Sequence, residues 1–324
     1  MNNSKIDISV ILPSRNEGDK VKKLVPEVID ALEKTGKTYE VFAINSPTDK
    51  TSFPTFKEFA SKHKNFYAID LSDKRAAGDG KSVQYMIGFE LARGKYVIHM
   101  DTDGQDNPAQ IPDFLAKLEE GYDLVVGHKQ KRKDGGFYMF TSKGWHAVMS
   151  MFMGIDLHDM NCGFKAYRGH VVKRLNLKGR WYRYIPSILS AKGYRITEIP
   201  IENRKREWGK SNFSFFNRLQ GGVFDMLTVA TLNRIGGTPM YFFGWLSIGF
   251  VGLFIALIAL SLVFLDLYLK LLFAILATGF GVSAIFSYLI GLKIAYERSL
   301  VKTPLQEYGI REIFPSHKRV EIEA

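Results

Sequence analysis

The chain has 324 residues, a single cysteine, 46% hydrophobic residues and a formal net charge of +11. One cysteine excludes an intramolecular disulfide framework, and the length allows one large domain or two, each with a full core. The mean hydropathy of −0.07 matches a soluble protein, yet no charged residue lies between Arg234 and Asp266 or between Lys270 and Lys293. Each interval exceeds the about 20 apolar residues that cross a bilayer core, which argues against a purely soluble enzyme.

In chain order, the short apolar run Ile8 to Leu12 is too brief for a signal-peptide core, so the first part is expected to stay cytosolic. Ile6 to Leu12 reads as a strand, followed by a helix with Val21, Leu24, Val25, Val28 and Leu32 on one face. Tyr39 to Ile44 and Asn65 to Ile69 read as strands and Ser82 to Leu91 as a helix. Tyr96 to Met100 and Leu124 to Gly127 are further buried strands. Strands alternating with helices imply parallel pairing and an α/β layered domain, with ligands beyond the carboxyl ends of the strands. Those ends carry Pro13-Ser14-Arg15-Asn16-Glu17, Asn45-Ser46-Pro47 and Asp101-Thr102-Asp103.

From Phe213 to Arg234 apolar and charged residues mix, as in amphipathic helices on a membrane surface; a helix packed on the soluble domain is the alternative. Met240 to Leu265 and Leu271 to Leu292 read as two spans joined by a tight turn. Basic residues crowd both flanks, whereas the turn has Lys270 alone. The positive-inside rule therefore places both flanks in the cytoplasm. The uncharged spans make an anchor rather than a transport path. Gly249, Gly252, Gly279 and Gly281 permit close helix contacts, within the hairpin or in a homo-oligomer.

The sharpest chemical signal is His99-Met100-Asp101-Thr102-Asp103-Gly104-Gln105-Asp106 at the end of a buried strand. It concentrates hard oxygen ligands of the kind Mg²⁺ or Mn²⁺ shares with phosphate oxygens. Gly78-Asp79-Gly80-Lys81-Ser82 lacks Walker A spacing and reads instead as a helix entry near a nucleotide. The seven histidines show no metal-ligand spacing, and Cys162 reads as a small buried residue. Arg204-Lys205-Arg206 and Lys131-Arg132-Lys133 read equally well as solvated or lipid-facing charge.

The succession Ile11-Leu12-Pro13-Ser14-Arg15-Asn16-Glu17, Gly88-Phe89-Glu90-Leu91-Ala92-Arg93-Gly94-Lys95-Tyr96 and Met100-Asp101-Thr102-Asp103-Gly104-Gln105-Asp106 resembles the family 2 glycosyltransferases. Asp159-Met160-Asn161-Cys162-Gly163-Phe164-Lys165-Ala166-Tyr167-Arg168, Arg206-Glu207-Trp208-Gly209-Lys210-Ser211 and the two-helix hairpin resemble its polyprenyl-phosphate sugar transferase subgroup. The resemblance implies a GT-A (Rossmann-like) α/β domain over 1–212, amphipathic interfacial helices over 213–236, a transmembrane hairpin over 237–296 and a cytoplasmic tail over 297–324.

For the site, the resemblance implies a Mg²⁺ or Mn²⁺ ion on Asp101, Asp103 and Gln105, and a nucleotide-sugar on Pro13, Arg15, Glu17, Asn45, Lys81, Asp101, Arg206, Lys210 and Ser211. Lys129 and Lys143 stand where relatives carry arginine for the acceptor phosphate. Asp159 stands in the position of the catalytic base, beside Asp103 as the other catalytic carboxylate. Asn45 replaces the expected base-reading aspartate, so the nucleotide stays open between UDP and GDP. The implied reaction is inverting transfer of one sugar to a polyprenyl phosphate at the cytoplasmic face of the cell membrane. The partners are then the donor, the lipid acceptor and the bilayer, with no nucleic acid. A different acceptor, or a non-catalytic membrane scaffold, is the alternative.

Overall fold

A computed structural model of the chain describes residues 6–72, 81–129, 154–204, 225–226, 228–230, 239–263, 267–299 and 310–315. They form two units, residues 1–230 with 303–324, and residues 231–302.

The first unit is built on an eight-stranded sheet. Its strands are β1 (Ile8–Ser14), β2 (Tyr39–Asn45), β3 (Phe66–Leu71), β4 (Tyr96–His99), β5 (Leu124–Lys129), β6 (Lys165–Arg168), β7 (Ile196–Ile201) and β8 (Ile310–Phe314), in the order β7-β5-β6-β4-β1-β2-β3-β8. The β1–β2, β2–β3, β1–β4 and β5–β7 pairs are parallel, as the alternating pattern predicts. β6 runs antiparallel to both β4 and β5, and β8 antiparallel to β3, so the sheet is mixed.

β1 reads Ile-Ser-Val-Ile-Leu-Pro-Ser and is buried at every position, as expected of a central strand covered on both faces. Helix α1 (Gly18–Lys34) buries Val21, Leu24, Val25, Val28 and Leu32, the face its spacing predicts. Helix α2 (Phe53–Lys62) buries Phe56, and helix α3 (Lys81–Leu91) is buried along most of its length. Helix α4 (Ile111–Glu119) buries Phe114, which stacks on Phe164 with ring centroids 4.0 Å apart.

Met226, Val229 and Ala230 are buried with Tyr184 in a small second cluster. Met226, Val229 and Ala230, with Asp225 and Thr228, are the described part of the stretch from Phe213 to Arg234; the rest of it lies outside the described residues.

The second unit holds the two apolar helices α5 (Pro239–Val263) and α6 (Leu267–Ser299). Tyr241–Val263 and Leu267–Ile294 are long and apolar enough to cross a membrane, with mean hydropathies of 2.6 and 2.0. They meet as a hairpin: Ser247 Oγ donates to the Ala284 carbonyl at 3.0 Å, and Phe254 packs against Gly281. Outward they leave Trp245, Leu262 and Tyr268 exposed.

Beyond this hairpin the chain returns as β8 to the sheet it left. Phe314 pairs with Ala68 and packs on the core beneath the Lys57 ammonium, 5.2 Å from the ring centroid. That return covers the β3 edge, which would otherwise present unpaired backbone groups.

Phe164 is fully buried between the sheet and α4. Phe164→Ala should cost about 3–5 kcal/mol by cavity formation, read as a lowered thermal midpoint of the full chain. A shift no larger than that of a surface substitution would contradict this packing.

Candidate active site

The carboxyl ends of β1, β2 and β4 are tied together by buried polar side chains. Gln84 on α3 donates its amide to the Ser14 carbonyl at 2.8 Å and the Ile44 carbonyl at 2.7 Å. Thr102 Oγ1 donates to the Pro13 carbonyl at 2.8 Å. Ser52 Oγ accepts from Ser14 Oγ at 2.9 Å and from the Gly18 amide at 3.1 Å. Asn16 sits in the left-handed region, φ 61°. These bonds fix the loop after β1, with Pro13 buried, Arg15 exposed and Glu17 half-buried on Lys20 at 2.5 Å.

Asn45 is fully buried, and its amide donates to Asp70 Oδ1 at 2.9 Å and to the Asp49 carbonyl at 2.8 Å. Asn45 and Asp70 are register partners, so this side chain clamps β2 to β3. Its Oδ1 has no hydrogen-bond partner among the described residues.

Asp101 and Asp103 follow β4. The Lys81 ammonium, at the start of α3, lies 2.8 Å from Asp101 Oδ1, and Tyr85 Oη donates to the same oxygen at 3.2 Å. Burial would push the Asp101 carboxyl up, but Lys81 wins and holds it down at about 2; reciprocally, Asp101 holds Lys81 charged against burial. Tyr85 stacks on His99 with ring centroids 4.2 Å apart, and His99 Nδ1 meets Tyr167 Oη at 3.2 Å. Burial keeps His99 neutral. A side chain at Gly163 would fall on the Asp101 carboxyl group, so the Cys162-Gly163-Phe164 stretch leaves Asp101 its place.

Asp103 Oδ1 accepts the Gln105 amide at 3.1 Å across a turn that Gly104 makes at φ 76°. Asp103 lines a cavity of about 660 Å³ together with Asn16, Glu17, Thr51, Gly104 and Arg204, a volume in the range of small-molecule sites. Arg204 is not merely solvated charge: it pairs with Glu27 at 2.5 Å and donates to Asn107 Oδ1 at 2.9 Å.

Asp106 is fully buried, and its ion-pair partner is Lys129 at the end of β5, 3.2 Å away. Among the described residues no hydrogen-bond donor of good geometry reaches either Asp106 oxygen. Burial, with Asp101 and Asp103 adding to it, pushes the Asp106 carboxyl up to about 6 against the pull of Lys129.

Asp159 is half-exposed in the segment between Gly154 and β6. Its neighbour Lys165 is fully buried and donates to the Cys162 carbonyl; burial lowers its pKa, and Asp159, Asp101 and Asp106 oppose that. Burial likewise pushes the Cys162 thiol up to about 12, which makes it an inert core group.

The structure thus gathers Asp101, Asp103, Gln105, Lys81, Glu17 and Lys129 around the end of β4, with Asp159 alongside through Lys165. Lys143, Arg206, Lys210 and Ser211 lie outside the described residues. Tyr85 is a contribution that motif reading does not single out. Asp106, Gly163 and Lys165 lie within the motifs and Lys129 is named beside them, but their buried partnerships with one another and with Asp101 appear only in the structure.

The donor set at this end is all oxygen, and the buried Asp106 Oδ2 has no hydrogen-bond partner among the described residues, which suits a hard divalent cation. Asp101, Asp103 and Asp106 do not form a trio with ligand atoms all within 4.8 Å of one another.

The family model described as Glycosyl transferase family 2 matches residues 9–175, half of the chain. The chain belongs to this family. Among solved structures it is similar to glucosyl-3-phosphoglycerate synthase from Mycobacterium tuberculosis, at 17% identity and a TM-score of 0.52, covering 70% of this chain and 81% of that one. Another structure of the same enzyme, in complex with Mn²⁺, uridine-diphosphate and glucosyl-3-phosphoglycerate, matches at 17% identity and a TM-score of 0.51, with the same coverage. Mannosyl-3-phosphoglycerate synthase from Rubrobacter xylanophilus matches at 15% identity and a TM-score of 0.52, covering 71% of this chain and 74% of that one. At these identities the likeness establishes the GT-A fold.

The raised Asp106 carboxyl gives a signed prediction. The native group holds its proton more tightly than the unfolded one, 3.8 against about 6. It therefore takes away stability as pH rises through that window, by up to about 3 kcal/mol. Asp106→Asn removes this dependence, so its thermal midpoint relative to the parent protein should climb between pH 4 and pH 7. The Lys129 contact, present only with the ionised carboxylate, is already contained in that shift. A difference flat with pH would show that Asp106 carries no raised pKa.

Proposed function

We propose that this family 2 glycosyltransferase transfers one sugar from a nucleoside diphosphate donor to a polyprenyl phosphate, with inversion, at the cytoplasmic face of a membrane. The observation that carries the reading is the chain path: two apolar helices leave the catalytic unit and β8 brings the chain back into its sheet. A catalytic domain tethered through an even number of spans works on one side of a bilayer, where a long isoprenoid presents its phosphate. The turn's single lysine against basic flanks supports the cytoplasmic side.

In this reading the donor lies in the cavity beside Asp103, with its diphosphate toward the end of β4. Asp101, Asp103 and Gln105 hold a Mg²⁺ or Mn²⁺ ion, which supplies positive charge to the departing diphosphate. Structures similar in fold carry Mn²⁺ with uridine-diphosphate in their complexes, which agrees with that assignment. Lys81 compensates Asp101 and keeps it ionised. Glu17 and Arg15 border the donor from the loop after β1, and Asn45 closes the end of β2 below it.

Lys129, aimed from β5 and steadied by Asp106, binds the acceptor phosphate, with Lys143 as its partner; Arg206, Lys210 and Ser211 hold the donor phosphates. Cations at this point offset the negative charge gathering there in the transition state. A phosphate monoester is mostly dianionic near neutral pH, so Asp159 orients the acceptor oxygen for in-line attack on the anomeric carbon rather than generating the nucleophile.

The test supplies full-length protein in nanodiscs with Mn²⁺ and a panel of radiolabelled UDP- and GDP-sugars. Parallel reactions contain undecaprenyl phosphate or 3-phosphoglycerate. The expected product is a lipid-linked monosaccharide, reduced at least 100-fold in Asp103→Ala, a loss on the scale of removing a principal electrostatic stabiliser. Transfer to phosphoglycerate alone, or equal activity of the variant and its parent, would refute the reading.

A further inference from the structure

The second cluster of chemistry-bearing side chains is formed by three residues far apart in sequence: His128 near the end of β5, His158 in the segment before β6, and Glu198 on β7. One potential ligand atom from each lies within 4.8 Å of the other two. Among the described residues this is the one trio of histidine, cysteine and acidic side chains that converges so closely.

Local structure explains why they meet. In the parallel β5–β7 pair Val126 faces Glu198 and His128 faces Pro200, so alternation places Glu198 and His128 on the same side of the sheet. The segment carrying His158 is fastened there by its backbone, since the His158 amide donates to Glu198 Oε2 at 2.9 Å. The His158 ring Nδ1 meets the other carboxylate oxygen, Oε1. The two imidazoles stack with centroids 5.1 Å apart.

Two features separate this arrangement from an ordinary surface ion pair. His128 Nδ1 is buried and has no hydrogen-bond partner among the described residues, a costly condition unless something else satisfies it. The donor set is also mixed, two imidazole nitrogens and one carboxylate oxygen, rather than all oxygen. Two histidines and a glutamate form a familiar three-ligand set for a borderline cation such as Zn²⁺, with a fourth position left to water. Tetrahedral zinc ligands stand about 3.3 Å apart at zinc–ligand bonds of about 2.0–2.1 Å. The His158 side chain is 77% exposed, which leaves it room to adjust within the 4.8 Å envelope.

We infer that His128, His158 and Glu198 form a zinc-class metal site, separate from the all-oxygen site at the end of β4. Its effect is positional. His158 immediately precedes Asp159, and Lys129 immediately follows His128. A cation bound here fastens the Asp159 segment to the ends of β5 and β7, and so fixes the acceptor side of the cleft. The inference rests on the trio's geometry and not on which acceptor is used.

The experiment uses the full chain in detergent, purified through a tag without histidine and stripped with chelator. Zn²⁺ is titrated against a chromophoric competitor in excess Mg²⁺, and Co²⁺ absorption reports coordination. One Zn²⁺ per chain is expected, with a tetrahedral Co²⁺ spectrum. Affinity should fall at least 10-fold in both His158→Ala and Glu198→Gln and stay unchanged in Asp103→Asn. Zn²⁺ should also raise the thermal midpoint of the parent protein but not of His158→Ala, whose exposed position allows it to fold normally. Absence of stoichiometric binding, equal binding by His158→Ala, or loss of binding in Asp103→Asn would each overturn the inference.

Discussion

The structure depends on keeping several carboxylates charged in one small volume at the end of β4. Like charges there repel strongly in a medium less polar than water. Two lysines resolve the conflict from opposite sides: Lys81 from the start of α3 meets Asp101, and Lys129 from the end of β5 meets Asp106. Burial nevertheless pushes the Asp106 carboxyl up to about 6 against the pull of Lys129. An all-oxygen cluster of this kind suits a hard divalent ion, and that donor chemistry is the physical ground for placing one there.

The sheet serves the same end. Inserting β6 antiparallel between β4 and β5 brings Gly163 against Asp101 and buries Lys165 behind the carboxylates. Running β8 back along β3 closes the far edge and returns the chain to the catalytic unit after the apolar hairpin. Gln84, Thr102 and Ser52 then tie the strand ends to one another, so that the loop after β1 and the carboxylates share one hydrogen-bonded frame.

Much of this was legible in the sequence. Fully apolar β1 and the periodic face of α1 announce themselves, and Asp101-Thr102-Asp103 is contiguous, so its location at a strand end follows from the strand alone. β6 and β7 are harder to read. Lys165-Ala166-Tyr167-Arg168 carries a buried lysine, and Ile196 to Ile201 is interrupted by Pro200, so neither has the apolar run of a central strand. The Asp106–Lys129 pair and the His128–His158–Glu198 trio are long-range meetings that only the β4–β6–β5–β7 topology creates. Histidine spacing along the chain therefore gave no hint of the trio. Asn45 was visible as a departure from the expected aspartate, but its part in clamping β2 to β3 through Asp70 appears only in three dimensions.

The central claim is that the β4 carboxylates bind a nucleoside diphosphate through a divalent cation. Electron paramagnetic resonance of Mn²⁺, titrated into the full chain with and without UDP or GDP, tests it most directly. The account predicts weak Mn²⁺ binding alone, at least 10-fold tighter binding with one of the diphosphates, and loss of that enhancement in Asp103→Asn. Diphosphate binding that persists undiminished in chelator, or an enhancement that survives Asp103→Asn, would contradict it.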